Sequence, residues 1–306
     1  GCDALRYYLC TDCALGTDLR FDETKMAATW NYINKIWNAS RFVLMNIEDL
    51  KEYNFDNLTN EDKWILTKYE NIVKSSIKHM DKYEFNIFGS ETYSFIYDDF
   101  CSNYIEFAKF NSDSTTTKSV LCYVLTGILK MLHPFMPFVT EEIYSMLPIK
   151  ETESIMISDY PKYDKKFIFN DEEVLVNSKI EFIKAFRNVK LENSIPKEAK
   201  VLINTDDEII IRMLKLQDVR IDSELEIKAY NVSVDNYKAI IYYEKEETEE
   251  DIALKEKQIA DLKASIERRK KLLSNENYVN KAPANIVEAD RLKLEEEKKK
   301  LEELLK

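Results

Sequence analysis

Three observations predict a mainly α fold with a small α/β part and a coiled-coil end. Glycine and proline are scarce, 4 and 6 in 306 residues, where ordinary usage of about 7% and 5% would give roughly 21 and 15. Both disfavour a helix interior, so their scarcity favours helix. Upstream of Pro148, apolar residues recur at helical spacing in four or five stretches with short polar connections, the pattern of a helical bundle. Beyond Glu249, Ile252, Ile259, Ile266 and Leu273 recur at strict sevens, as a coiled-coil seam requires. A chain of this length suggests two or three domains.

Residues 1–20 read as short and irregular, with a turn at Gly16. Asp22 is placed to cap a helix from Glu23 to about Ile47. At 100° per residue, Trp30, Ile33, Ile36, Trp37, Val43, Leu44 and Ile47 fall on one arc; Asn31, Asn34, Lys35, Asn38 and Arg41 fall on the opposite one. A polar connection over 48–60 leads to a second helix from Thr59 to about Asn86, and a third, rich in aromatics, runs from about Ser90 through Phe110. The polar run 111–117 caps a fourth helix from about Lys118 to Leu132, halted before Pro134. Pro137 starts a short fifth that ends near Leu147.

The texture then changes. Asp171–Asn193 reads as a helix, with Val176, Ile180, Ile183, Phe186 and Val189 on one side. After Pro196 come strand-like stretches at Lys200–Asn204, Glu224–Ala229 and Tyr237–Glu244, with a short helix over Ile209–Leu216. Turns without glycine must rest on Asn and Asp there. In the final part Val287, Leu294 and Leu301 repeat the seven-residue spacing beyond a break at Ser274–Asn277 and Pro283, which predicts an antiparallel hairpin. Lys255, Arg269 and Lys298 stand in its seam where apolar residues are expected.

Composition excludes several chemistries. No glycine follows Gly127, so neither a phosphate cradle nor a dinucleotide fingerprint is present. No apolar run reaches the roughly 18–20 residues of a membrane span and no secretory signal opens the chain; the expectation is a soluble, intracellular protein. The net charge of −12 argues against non-specific nucleic-acid coating, though not against a local basic face. All of that excess lies before Glu249, since 14 acidic and 14 basic residues follow. Five cysteines are expected as free thiols, and Cys10 and Cys13, though spaced as a zinc half-site, lack a second pair. His79 and His133 lie in separate helical contexts with no nucleophile beside them; His133 reads as a half-buried residue bonding backbone at a helix end. The carboxylate pairs Asp98-Asp99 and Glu141-Glu142 are adjacent and face different ways. No catalytic residue and no metal ligand are assigned.

What remains is a surface. Asn is a poor helix former, yet three of them share the outer face of the first long helix with Lys35 and Arg41. Either that face is merely solvated, or it reads RNA, with Asn toward base edges and cations toward phosphate. Arg268, Arg269, Lys270 and Lys271 form a second basic patch at the end of the first hairpin arm.

Here the motifs become specific. Gly1-Cys2-Asp3-Ala4-Leu5-Arg6, Gly16-Thr17-Asp18-Leu19-Arg20-Phe21, Asn34-Lys35-Ile36-Trp37-Asn38-Ala39-Ser40-Arg41-Phe42 and Leu132-His133-Pro134-Phe135-Met136-Pro137-Phe138 resemble class I aminoacyl-tRNA synthetases of the valine, isoleucine and leucine group. Arg187-Asn188 with Ile195-Pro196, and Leu273–Val279 with Lys281-Ala282-Pro283, are most similar to the valine branch. The resemblance implies residues 1–21 as the end of a catalytic or stem-contact region, 22–150 as a helical anticodon-binding domain, 160–246 as a small α/β subdomain and 249–306 as a coiled-coil tRNA-binding arm.

It further implies a partner, tRNA(Val), with no membrane and no DNA, for a cytoplasmic monomer. The parent enzyme would activate valine with ATP and Mg, while this part would need no cofactor: it contains neither HIGH nor KMSKS, Lys25-Met26-Ala27 being a partial match on a helix. The tRNA contacts would fall to Asn31, Asn34, Lys35, Asn38 and Arg41 in the bundle and to the basic patch of the arm. Two other readings stay open: the isoleucine enzyme's C-terminal region, and a non-catalytic helical or coiled-coil scaffold.

Overall fold

The computed structural model describes residues 1–14, 16–18, 20–197, 199–216, 229–243 and 249–274, with 293, 294 and 297; in the last helix, side chains are described at 259 and 262–274. Two compact units result, Gly1–Tyr243 and Glu244–Lys306. Among the described residues no helix is long and apolar enough to cross a membrane.

The first unit opens on a helix, α1 (Cys2–Thr11), where an irregular segment was expected. Its stability is tertiary: Ala4, Tyr7 and Tyr8 are buried, which no short-range pattern announces. Helix α2 (Glu23–Asn46) starts as predicted, the Asp22 carboxylate accepting the Thr24 N–H at 2.8 Å. Helix α3 (Asn60–Asp81) begins at a capping box, with Thr59 and Asp62 exchanging hydrogen bonds at 3.1 Å each.

The next boundary differs from expectation. The chain breaks at 82–84 instead of 86–90, and α4 runs from Phe85 to Ser94. Tyr83 takes φ 60°, and Glu84 turns back onto His79 through its amide and a 2.6 Å contact with Nδ1. Gly89, which suggests a break, lies inside α4 because α1 passes close: a Cβ there would stand 2.6 Å from that of Thr11.

Beyond α4 the chain widens into a π-helix over Phe95–Tyr104, then α5 (Ile105–Ala108) and a 3-10 turn. Phe95, Phe100 and Ile105 are buried, as are Ile96 and Cys101, a five-residue period that suits i→i+5 winding. Helices α6 (Thr115–Leu132), capped by Ser114, and α7 (Pro137–Ser145) complete the bundle.

Helix α8 (Asn170–Glu192) joins two cores, with Val176 and Ile180 in the bundle and Phe182, Ile183 and Phe186 in the α/β part. There β1 (Lys200–Ile203), β2 (Ala229–Val234) and β3 (Tyr237–Tyr242) form an antiparallel sheet of order β1-β3-β2, with α9 (Glu208–Leu214) between β1 and β2 in sequence. Val201 faces Ile241, and Ile203 and Val232 flank Ala239, which gives the sheet one buried side. Strand β2 starts where the expected strand at Glu224–Ala229 ends, and its turn into β3, Asp235-Asn236, rests on Asp and Asn as expected of turns without glycine, Asp235 supplying the positive φ of 48°. Residues 224–228 of the expected strand lie outside the described residues.

The second unit contains α10 (Glu249–Leu273), where Ile266 is buried and Ile259 and Leu273 are half-buried. Most of the expected second arm, including Val287 and Leu301, lies outside the described residues. Within them, Glu297 accepts hydrogen bonds from Ser265 at 3.0 Å and from Arg269 at 3.1 Å.

Candidate nucleic-acid interface

Helix α2 turns one side inward and one outward. Tyr32, Ile33, Ile36, Ser40 and Val43 are buried, which fixes the helix against the rest of the bundle. Asn31, Asn34, Asn38 and Arg41 are exposed on the opposite side. Lys35 is only half-buried: its Nζ stands 4.4 Å above the Tyr97 ring, whose other neighbour, Tyr93, is stacked at 5.3 Å and 12°. The cation is thus held sideways against the π-helical segment, an interaction that neither helix reveals alone. Trp30, expected on the buried arc, is 49% exposed. It lines an open apolar cavity of about 640 Å³ with Ile33, Trp37, Phe138 and Val139, because the apolar stripe of α2 outruns its packing partners.

Two sequence motifs 130 residues apart meet beside this helix. Asp3 accepts the amides of Phe138 and Val139 at 3.3 and 2.8 Å, capping α7 from α1. Arg6 donates to the Pro134 carbonyl at 3.1 Å. These roles were invisible in sequence, since Asp3 and Arg6 sit in what reads as an irregular end. His133 bonds the Thr140 hydroxyl at 2.7 Å, a side-chain partner where backbone was expected, and burial holds its pKa below the ordinary value. Thr140 in turn donates to the Met136 carbonyl. All these contacts orient the bundle and none presents a nucleophile.

Elsewhere the acidic pairs separate as expected. Asp98 accepts from Ser94. Asp99 is half-buried, and desolvation pushes its pKa up to about 6 despite Lys68 and Lys184 nearby. Glu141 accepts from Ser154. Cys10 is exposed and Cys13 half-buried, and no group of three or more metal-ligating side chains occurs among the described residues.

On the arm, Arg268, Lys270 and Lys271 are exposed. Arg269 is different. Two of its guanidinium nitrogens grip Glu297, and that partnership lowers the Glu297 pKa. A cation that looks misplaced in an apolar seam is therefore matched by an acid across it.

Residues 62–205 match the family described as anticodon-binding domain of tRNA ligase, and residues 248–306 match the valyl tRNA synthetase tRNA binding arm. A valine–tRNA ligase of Staphylococcus epidermidis is 40% identical over 96% of this chain and 36% of its own length. Those of Bacillus cereus and Listeria monocytogenes are 38% and 37% identical over the same shares. The chain thus spans 36% of the length of the curated relatives it matches. Among solved structures, a LeuRS–tRNA–LeuAMS ternary complex of Agrobacterium radiobacter superposes with a TM-score of 0.45 at 15% identity, over 55% of this chain and 20% of that one.

Proposed function

The chain belongs to the valyl-tRNA synthetase family through its anticodon-binding and tRNA-binding-arm domains, and from that premise we propose that it binds tRNA(Val), the bundle reading the anticodon and the arm gripping the tRNA body. The observation that carries this reading is the outer face of α2. Three asparagines are poor choices for an exposed helix that only has to be soluble, since Glu, Lys or Gln would each stabilise it better. Beside them Arg41 has no hydrogen bond or ion pair among the described residues, and Lys35 is steadied by Tyr97. Amide groups for base edges and cations for phosphate are the two kinds of contact that sequence-specific RNA binding needs.

In this reading the division of labour follows residues 1–21, 22–150, 160–246 and 249–306. The whole enzyme attaches valine to tRNA(Val) using ATP and Mg, and those sites lie in a portion outside this chain. The isolated chain is inactive in aminoacylation and works as part of a cytoplasmic, monomeric enzyme, with no membrane or DNA partner.

The test is binding of the chain to tRNA carrying a valine anticodon, beside the same tRNA with that anticodon changed, at two salt concentrations. Affinity is expected to drop on anticodon change, and Arg41→Ala, which removes a phosphate contact in this reading, is expected to weaken binding to both tRNAs and reduce the salt slope by about one. Equal, salt-sensitive binding to both tRNAs would leave only contacts with the tRNA body. No binding at low salt would favour a scaffold.

A further inference from the structure

A groove of about 770 Å³ opens on the α/β part, between the last turn of α8 and the end of α9. Its rim carries Arg187, Lys190, Lys197 and Lys215, and no acidic residue lines it among the described residues. In a chain with a net charge of −12, that is a concentrated local excess of positive charge. The floor is apolar, with Phe186 and Ile195 buried beneath, while Leu191 beside them is 80% exposed.

Part of this charge has a local use. Helices α8 and α9 both end here, and each C-terminus carries about half a negative charge, which cations offset. Arg187 also donates to the Met213 carbonyl at 3.0 Å, near the end of α9. Yet the charges of Arg187, Lys197 and Lys215 alone exceed what two helix ends, at about half a charge each, require. That one bond also leaves most of the five guanidinium donors uncommitted to it. Lys215 occupies a left-handed C-cap at φ 55°, a position where glycine or asparagine is usual. Lys197 lies outside both helices and is exposed, so no helix end accounts for it.

We propose that this groove binds the ribose–phosphate backbone of RNA, as a contact region additional to the α2 face and the arm; this rests on the tRNA-binding reading above. The basic rim supplies phosphate contacts that position without reading sequence. The apolar floor and Leu191 accept the faces of the sugars. A rim with several cations around an apolar floor fits RNA better than a small anion, because a lone phosphate would leave the floor uncovered.

The test uses the full chain and tRNA over a range of salt. The double charge reversal Lys197→Glu, Lys215→Glu is expected to weaken binding at least about tenfold at low salt and to reduce the slope of log K against log salt by about two, one per lysine. The ratio between tRNAs with the valine anticodon and a changed one is expected to stay the same. Both side chains are exposed, so the unfolding midpoint should hold; if it falls, Lys197→Gln, Lys215→Gln is expected to show the same direction with a smaller loss. Unchanged affinity and slope in a folded variant overturns the groove, and does so without touching the tRNA-binding reading if Arg41→Ala still weakens binding. Absence of RNA binding by the unmodified chain overturns both.

Discussion

The bundle and the α/β part are built on different scales and meet through one helix. The bundle has a large core in which Trp64, Phe88, Phe100 and Tyr104 are almost wholly enclosed, and several of its buried polar groups hydrogen-bond to one another, although the Tyr32 and Ser40 hydroxyls find no partner among the described residues. Tyr104 donates to Asp62 at 2.6 Å, and Thr117 approaches the same carboxylate. The α/β part rests, among the described residues, on ten buried apolar side chains at a single sheet face. Their junction is not purely apolar: Lys179, 5% exposed, reaches Glu61 of α3 at 2.8 Å and Asp207, the cap of α9, at 2.6 Å. The lesson is that the smaller part borrows rigidity from the larger, through α8 and a buried ionic triad.

Removing the triad should have the largest effect. Lys179→Ala leaves Glu61 buried without its cation, and a loss of about 3–5 kcal/mol is expected, read by urea unfolding. A cost below about 1 kcal/mol would mean that the two parts are joined by apolar packing alone. Next, Ile241→Ala should cost about 2–5 kcal/mol, and hydrogen exchange should locate it. Faster exchange in β1–β3 with protection retained in α3 would sharpen the comparison. Equal loss in both would make them one cooperative unit.

The smallest expected effect is a pH dependence within the bundle. Asp99 ionises near 3.8 when unfolded but only at about 6 in the fold, because burial disfavours its charge. The folded chain therefore holds a proton that the unfolded one has lost. Stability contributed by this group falls as pH rises from about 4 to about 6 and then levels off. Asp99→Asn should remove that fall and stabilise the chain at pH 7, by less than the roughly 3 kcal/mol that the full rise in pKa would give, because the half-buried carboxylate is partly screened by solvent. A stability profile unaltered by this substitution would place the carboxylate in water.

Legibility in the sequence followed the range of the interactions. The cap at Asp22 and the proline start of α7 were readable because each signal lies within a few residues of its effect, whereas the second and fourth helices were located only to within a few residues, their caps proving to be Thr59 and Ser114. Lys35 was legible as an outward cation, but its partner Tyr97 was not, since the two lie on separate elements. Arg269 reads as a defect of the seam until Glu297 stands opposite it.

By itself the sequence determined the helical class, the periodic core faces, the seven-residue repeat of the arm and the ordered motifs of the family. These depend on local periodicity and residue type. Only the tertiary structure decided that residues 2–11 form a helix, that Asp3 and Arg6 tie it to the start of α7, that Trp30 lines an open cavity, and that four cations from two helix ends and a loop surround one groove. Each of those arises from residues far apart in the chain, whose meeting depends on how the helices pack rather than on any neighbouring residue.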